Sequence, residues 1–264
     1  MAGREVMNIV GADVQPVPID KEGLNLAYAV QNYPIPKVIF TTPSHQQPLG
    51  ITMSLSRRLA LIKYAHANNV WVIEDDYDSE FRYRGRPLPA LSALDKFGRI
   101  LYVGTFSKSM FSAIRLGYIV VPEWLVDPFA KARNIIGQSS SPVTELALSR
   151  FIAEGSFSEH IRKMRRIYRD RKDTLLHALE NYCADTLSPQ KTDAGMHVIA
   201  DLKVGLDDRN VHQRLLNSGI DSLPLSIYYQ NPTNHNALVL GFSAVPKKTI
   251  ADLACEMGQI LRTI

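Results

Sequence analysis

Two segments hold residue types whose chemistry stands out. In Gly104-Thr-Phe-Ser-Lys-Ser109 a lysine follows an apolar run inside a small, hydroxyl-rich turn. Such turns expose backbone N–H groups and hydroxyls, which suit a phosphate. Burial and neighbouring cations lower an amine's proton affinity, leaving the free base that condenses with an aldehyde to an imine. Taken alone, this hexapeptide fits a solvent-exposed loop lysine better. Ile73-Glu-Asp-Asp-Tyr-Asp-Ser-Glu80 is the second segment. Its acids stand at the C-terminal end of an apolar run, where parallel sheets open a ligand crevice. A carboxylate buried there, such as Asp75, keeps a pyridine-type nitrogen protonated. Tyr77, two residues on, can donate to a phenolate oxygen of the same ring. The rival readings are a metal site, a salt-bridge cluster or a plain acidic loop.

Two further pieces point the same way. Arg115 follows Lys108 by seven residues and opens the next apolar run. A guanidinium fork matches phosphate bidentately. Thr41-Thr-Pro-Ser-His-Gln-Gln-Pro-Leu-Gly50 is a turn at another strand end, with polar side chains directed at the same crevice.

The elements that must position these groups follow from hydrophobic period. Lys37–Thr42, Val70–Glu74, Ile100–Gly104 and Leu116–Val121 read as strands, the first of them buried. Ser54 or Ser56 caps a helix running to about Asn68, with Leu55, Leu59, Ile62 and Ala65 or His66 on its inner side. Strand and helix alternating at this pitch predict a mainly parallel sheet flanked by helices. After Pro122 helices are expected at Glu123–Ile136, Pro142–Ala153 and Ser158 to about Tyr182, and Met1–Val10 reads as the tail of a helix. A small C-terminal α/β unit closes the chain. It has strands at Met196–Asp201 and Ala237–Phe242, a helix capped by Asp207 or Asp208, and a last helix from Pro246 to the C-terminus. The expected division is 1–155, a partial large domain; 156–182, a connecting helix; and 183–264, a small domain.

Composition excludes several classes. The chain has 264 residues, 45% hydrophobic and 21% charged, with a net charge of +4. That is ordinary globular composition, and the mild positive balance does not argue for nucleic acid. No apolar run reaches membrane-span length and the start lacks the apolar core of a signal peptide, so a cytoplasmic location is expected. Cys183 and Cys255 are read as two reduced, buried thiols. The histidines have no metal-ligand spacing, and the acids of 74–80 lack an oxygen-rich glycine turn, so no metal is expected. The basic run Arg162–Lys172 is read as a solvated helix face, with Ile161, Met164, Ile167, Tyr168 and Leu175 as the buried stripe.

Together, Thr42-Pro-Ser-His-Gln-Gln-Pro-Leu-Gly50, Glu74-Asp-Asp-Tyr-Asp-Ser-Glu-Phe81, Gly104-Thr-Phe-Ser-Lys-Ser109, Arg115-Leu-Gly-Tyr118 and Phe151-Ile-Ala-Glu-Gly155 carry a resemblance over nearly the whole chain. The sequence resembles the class I/II aminotransferases of the pyridoxal-phosphate-dependent fold type I. More narrowly, it resembles the aminotransferase-like domain of MocR-type regulators in the GntR family. The resemblance implies pyridoxal 5'-phosphate as cofactor, held on Lys108 as an internal aldimine. It implies that Asp75 pairs with the pyridine nitrogen and that Tyr77 bonds the phenolic oxygen. Thr105, Ser107 and Arg115 would hold the phosphate. Gln47 stands where ordinary aminotransferases present an asparagine to the phenolic oxygen, and His45 lies in the same turn.

Two departures from the family pattern matter. The family's preceding segment, with a phosphate-binding turn and a stacking aromatic ring, is not in these residues, nor is the regulators' winged-helix domain. The resemblance therefore implies an N-terminally truncated chain or part of a longer protein. The arginine that binds a substrate α-carboxylate is replaced by Val239, with Arg209 and Arg214 as the nearest upstream substitutes. Losing that clamp favours an effector-sensing domain, reading a small amine or amino acid, over routine turnover. An active aminotransferase and a cofactor-free dimerisation remnant are the alternatives. A homodimer is implied by the resemblance, and DNA contact only through a winged-helix domain absent from this sequence.

Overall fold

The computed structural model describes residues 2–137 and 141–263. Met1 and Ile264, the ends of two expected helices, lie outside the described residues. The helices are α1 (Ala2–Ile9), α2 (Leu26–Asn32), α3 (Leu55–Ala67), α4 (Leu91–Leu94), α5 (Phe106–Ser109), α6 (Val126–Ile136), α7 (Pro142–Ala153), α8 (Ser156–Tyr182), α9 (Asp208–Asn217) and α10 (Lys247–Leu261). The strands are β1 (Ile19–Asp20), β2 (Gly23–Leu24), β3 (Val38–Thr41), β4 (Trp71–Asp76), β5 (Ile100–Thr105), β6 (Gly117–Val120), β7 (Leu187–Pro189), β8 (His197–Leu202), β9 (Leu223–Pro224) and β10 (Ala237–Gly241). Two compact units form: residues 17–80 with 85–162, and residues 1–16 and 81–84 with 163–264.

The first unit is built on a four-stranded sheet in the order β3-β4-β5-β6. β3, β4 and β5 run parallel and β6 returns antiparallel to β5. Its main core joins α3 to the sheet through Met53, Leu61, Ile62, Ala65, Val70, Val72, Leu91 and Ile100. Ser54 caps α3 by accepting the Arg57 N–H at 3.2 Å, which satisfies a helix-start donor. Asn69, just past the helix, sits in the left-handed region with φ 57°, a conformation asparagine tolerates.

Two expectations fail here, each for a physical reason. The inner side of α3 is Arg58, Leu61, Ile62 and Ala65; Leu55 and Leu59 face outward. Arg58 is fully buried because its guanidinium meets three backbone carbonyls, those of Met53, Pro43 and Pro89, at 3.1, 2.7 and 3.0 Å. A hydrophobic count cannot see a charge that is buried fully bonded. β3 is not buried either: Val38 and Phe40 are 45% and 38% exposed. It is a sheet edge, and among the described residues β4 is its one strand partner.

The second unit carries a sheet in the order β7-β8-β10-β9, antiparallel throughout. Val198, Ile199 and Ala200 of β8 and Leu238, Val239 and Leu240 of β10 are buried. α9 starts at the Asp207 cap, which accepts the Asn210 N–H at 2.9 Å, and Pro246 precedes α10. Residues 81–84 join this unit through the Tyr83 N–H on the Asp193 carbonyl and the Tyr83 phenol on the Gly195 carbonyl, both at 2.7 Å. α8 is continuous, with residues 156–162 in the first unit and 163–182 in the second. On it Ile161, Tyr168 and Leu175 of the expected stripe are buried while Met164 and Ile167 are only partly so, and Lys172 joins the buried side with its Nζ donating to the Thr192 carbonyl at 3.0 Å. Cys183 and Cys255 are free thiols. Cys183 is buried and Cys255 only partly so. Among the described residues no helix is long and apolar enough to cross a membrane.

Candidate functional site

The register of the first sheet decides which side chains gather at one edge. Thr41 of β3 pairs with Glu74 of β4, and Asp75 of β4 pairs with Val103 of β5. The chain leaves all three parallel strands on the same side, so the segments after Thr41, Asp76 and Thr105 emerge together. β6 runs back from that side, with Gly117 opposite Thr105. This brings Arg115, just before β6, to the same edge. His45, Gln47, Asp75, Tyr77, Thr105, Ser107, Lys108 and Arg115 are therefore all carried on it.

Pleating sorts the acids of β4. Glu74 and Asp76 are buried and share one face, since residues two apart lie on the same side of a strand. Glu74 accepts the N–H groups of Leu91 and Ser92 at 2.8 and 2.9 Å, capping the short helix α4, and lies 3.9 Å from Arg58. Burial still pushes its carboxyl above the usual carboxylate range. Asp76 accepts the Tyr102 phenol at 2.8 Å and the Ser79 N–H at 3.2 Å. Asp75 points the other way. Its carboxyl is raised, first by desolvation and then by the charges of Asp76 and Asp78. Among the described residues no hydrogen-bond donor or cation meets it. It is a carboxylate made basic and left to pair with something cationic.

Beyond the strand, Tyr77 donates its phenol to Gln47 Oε1 at 2.7 Å. His45 Nδ1 lies 3.1 Å from the same phenol and 3.0 Å from Asp78 Oδ2. The Gln47–Pro48 bond is cis.

The lysine turn is held from below. Thr105 Oγ1 accepts the Ser107 N–H at 3.1 Å and so caps α5. Phe106 and Met110 pack on the buried cluster Ile114, Leu116 and Leu148. Between these two anchors Lys108 is exposed, while Ser109 is buried. His160 Nε2 meets the Ser109 carbonyl at 3.0 Å, tying α5 to α8. Gly104 is obligatory because the Tyr118 ring lies where a Cβ would stand. Arg115 is exposed and left-handed, φ 49°. A non-glycine residue held there carries strain that tends to mark ligand sites.

These residues match one known family along most of the chain. The model for "Aminotransferase class I and II" matches residues 4–245. The chain belongs to the aminotransferase class I and II family. Among curated relatives, it is 37% identical to the "Probable rhizopine catabolism regulatory protein MocR" of Rhizobium meliloti, covering 92% of this chain and 49% of that protein. It is 31% identical to the "HTH-type pyridoxine biosynthesis transcriptional regulator PdxR" of Corynebacterium glutamicum, over 97% and 54%. The chain thus spans about half the length of these relatives. Among solved structures, the kynurenine aminotransferase of Pyrococcus horikoshii superposes with a TM-score of 0.87 at 26% identity, covering 99% of this chain and 67% of that one. The fold is that of the fold type I, pyridoxal-phosphate-dependent enzymes.

Within this aminotransferase-family chain, one residue of the site escaped the sequence. Asp78 bonds His45 across 33 positions. The signal was available only as register: each is four residues past a paired residue, Thr41 and Glu74. Val239, which the resemblance sets at the place of the carboxylate-binding arginine, is buried in β10. Arg209 donates to Ser226 Oγ at 3.1 Å.

Proposed function

We propose that this chain is the pyridoxal-phosphate-binding, effector-sensing part of a MocR-type transcriptional regulator. The observation that carries the reading is Asp75: a desolvated carboxylate with no partner among the described residues, at the strand end beside the one leading to Lys108. Its raised proton affinity fits a protonated pyridine nitrogen. The hydroxyls of Thr105 and Ser107 and the Arg115 guanidinium fit a phosphate, and the Tyr77 phenol fits the ring's hydroxyl oxygen. When bound, pyridoxal phosphate supplies an aldehyde carbon and a ring that withdraws electrons from it. Lys108 Nζ is the nucleophile for that carbon, and its exposure leaves it reachable by an incoming amine. With that group bound, an effector amine would take the place of Lys108 on the carbon, its nitrogen forming the bond as the Lys108 nitrogen leaves as the free amine, and the change would be passed to a DNA-binding domain outside this sequence.

The regulator relatives support this reading, as does the buried valine at position 239, which leaves no guanidinium there for a carboxylate. A homodimer is supported by α6, which buries none of its residues and exposes Val126, Ile135 and Ile136. The second reading, an aminotransferase in which the released Lys108 moves a proton at the substrate carbon, is favoured by the likeness to the Pyrococcus enzyme.

Loading with pyridoxal phosphate is expected to give an absorbance band at the visible edge that borohydride removes and Lys108→Ala abolishes. Amines should alter the band without release of a keto acid. A loaded protein that stays colourless overturns the reading, and keto-acid release at catalytic rates replaces it with the enzyme.

A further inference from the structure

We infer that His45 and Asp78 are a buried positioning pair that sets how strongly the Tyr77 phenol donates its hydrogen bond, an inference that rests on the pyridoxal-phosphate reading. His45 and Asp78 are 3% and 2% exposed. Their contact, Nδ1 to Oδ2, is 3.0 Å. With Asp78 Oδ2 as the acceptor of the pair, Nδ1 is the nitrogen that donates to it. The Tyr77 oxygen is 3.1 Å from the same nitrogen, so one N–H is shared between carboxylate and phenol. Tyr77 in turn gives its own proton to Gln47 at 2.7 Å. The donors therefore run in one direction, from His45 through Tyr77 to Gln47, and Asp78 fixes the imidazole's tautomer at the head of the chain.

Such a chain polarises each link. A phenol oxygen that receives an N–H is more acidic and gives a stronger O–H bond onward. With a ligand oxygen in reach, Tyr77 delivers that bond to it. Packing alone does not call for the pair: replacing a buried polar or charged pair by apolar side chains of similar volume is often neutral or stabilising. The parallel register explains how the two meet, since both stand four residues beyond the Thr41–Glu74 pairing. His45 thus acts through Tyr77.

The test is the pH titration of the visible band in the loaded protein. A donor to the cofactor's phenolic oxygen stabilises its deprotonated form, so weakening that donor raises the midpoint. His45→Leu is expected to raise it by about half a unit or more. His45→Asn, whose amide N–H reaches the Nδ1 position, is expected to restore it. A purely structural pair would move the thermal midpoint and leave the titration in place. An unchanged titration in loaded His45→Leu overturns the inference while the cofactor reading stands. A wild-type protein with no Lys108-dependent band overturns both. If His45→Leu does not fold, the Nδ1–H proton resonance of wild type decides. It is expected to shift between the free and loaded protein, and an unchanged resonance overturns the inference.

Discussion

Arg58 and Glu74 face each other at 3.9 Å with both side chains fully buried, one residue before the carboxylate that faces the site. The guanidinium holds three loop carbonyls, and the carboxylate holds the start of α4. The pair therefore fixes the loops on either side of β4. Arg58→Ala leaves those carbonyls and the Glu74 charge buried without partners. A loss of about 3–5 kcal/mol is expected, measured by chemical denaturation.

Asp75 has the opposite character. Its carboxyl is raised by desolvation and by Asp76 and Asp78. A group raised in the folded state contributes most below its unfolded value of 3.8 and loses that contribution as pH rises through the folded value. Without cofactor, Asp75→Asn is therefore expected to raise stability at pH 7, with the gain vanishing in acid. The same variant should bind pyridoxal phosphate more weakly. Thermal melts across pH, with and without cofactor, check both signs.

Lys108 is exposed between the half-buried Phe106 and Met110, so its removal leaves the packing intact. Lys108→Ala is expected to change the stability of the cofactor-free protein by no more than about 0.5 kcal/mol. Absorbance and borohydride reduction should show the complete loss of covalent attachment. A collapse of stability would place the lysine in the fold instead.

Arg115 pairs backbone strain with an exposed guanidinium. Arg115→Gly removes both. The cofactor-free protein is expected to gain up to about 1 kcal/mol, because glycine adopts a positive φ without the Cβ penalty. Affinity for pyridoxal phosphate, and for inorganic phosphate as competitor, should fall. Arg115→Lys keeps the charge but not the fork, and intermediate affinity is expected.

Local chemistry made much of the molecule readable in one dimension. Alternating apolar runs marked β3, β4, β5 and β6; Ser54 and Asp207 announced α3 and α9; and a lysine in a hydroxyl-rich turn after a strand marked a candidate site only in company with the acidic and arginine segments, because each of these signals lies within a few residues. What could not be read depends on neighbours far along the chain. Nothing near Arg58 in sequence marks it as buried; the Pro43, Met53 and Pro89 carbonyls come round it only in the fold. β3 looked buried from its composition, yet exposure at a sheet edge is set by what packs beside it. Residues 81–84 joined the unit of 163–264 through contacts with 193–195. Glu74, Asp75, Asp76 and Asp78 read as one acidic run. Only pleating and strand register gave them separate tasks, with a helix start, an open site, Tyr102 and His45 as their respective addresses.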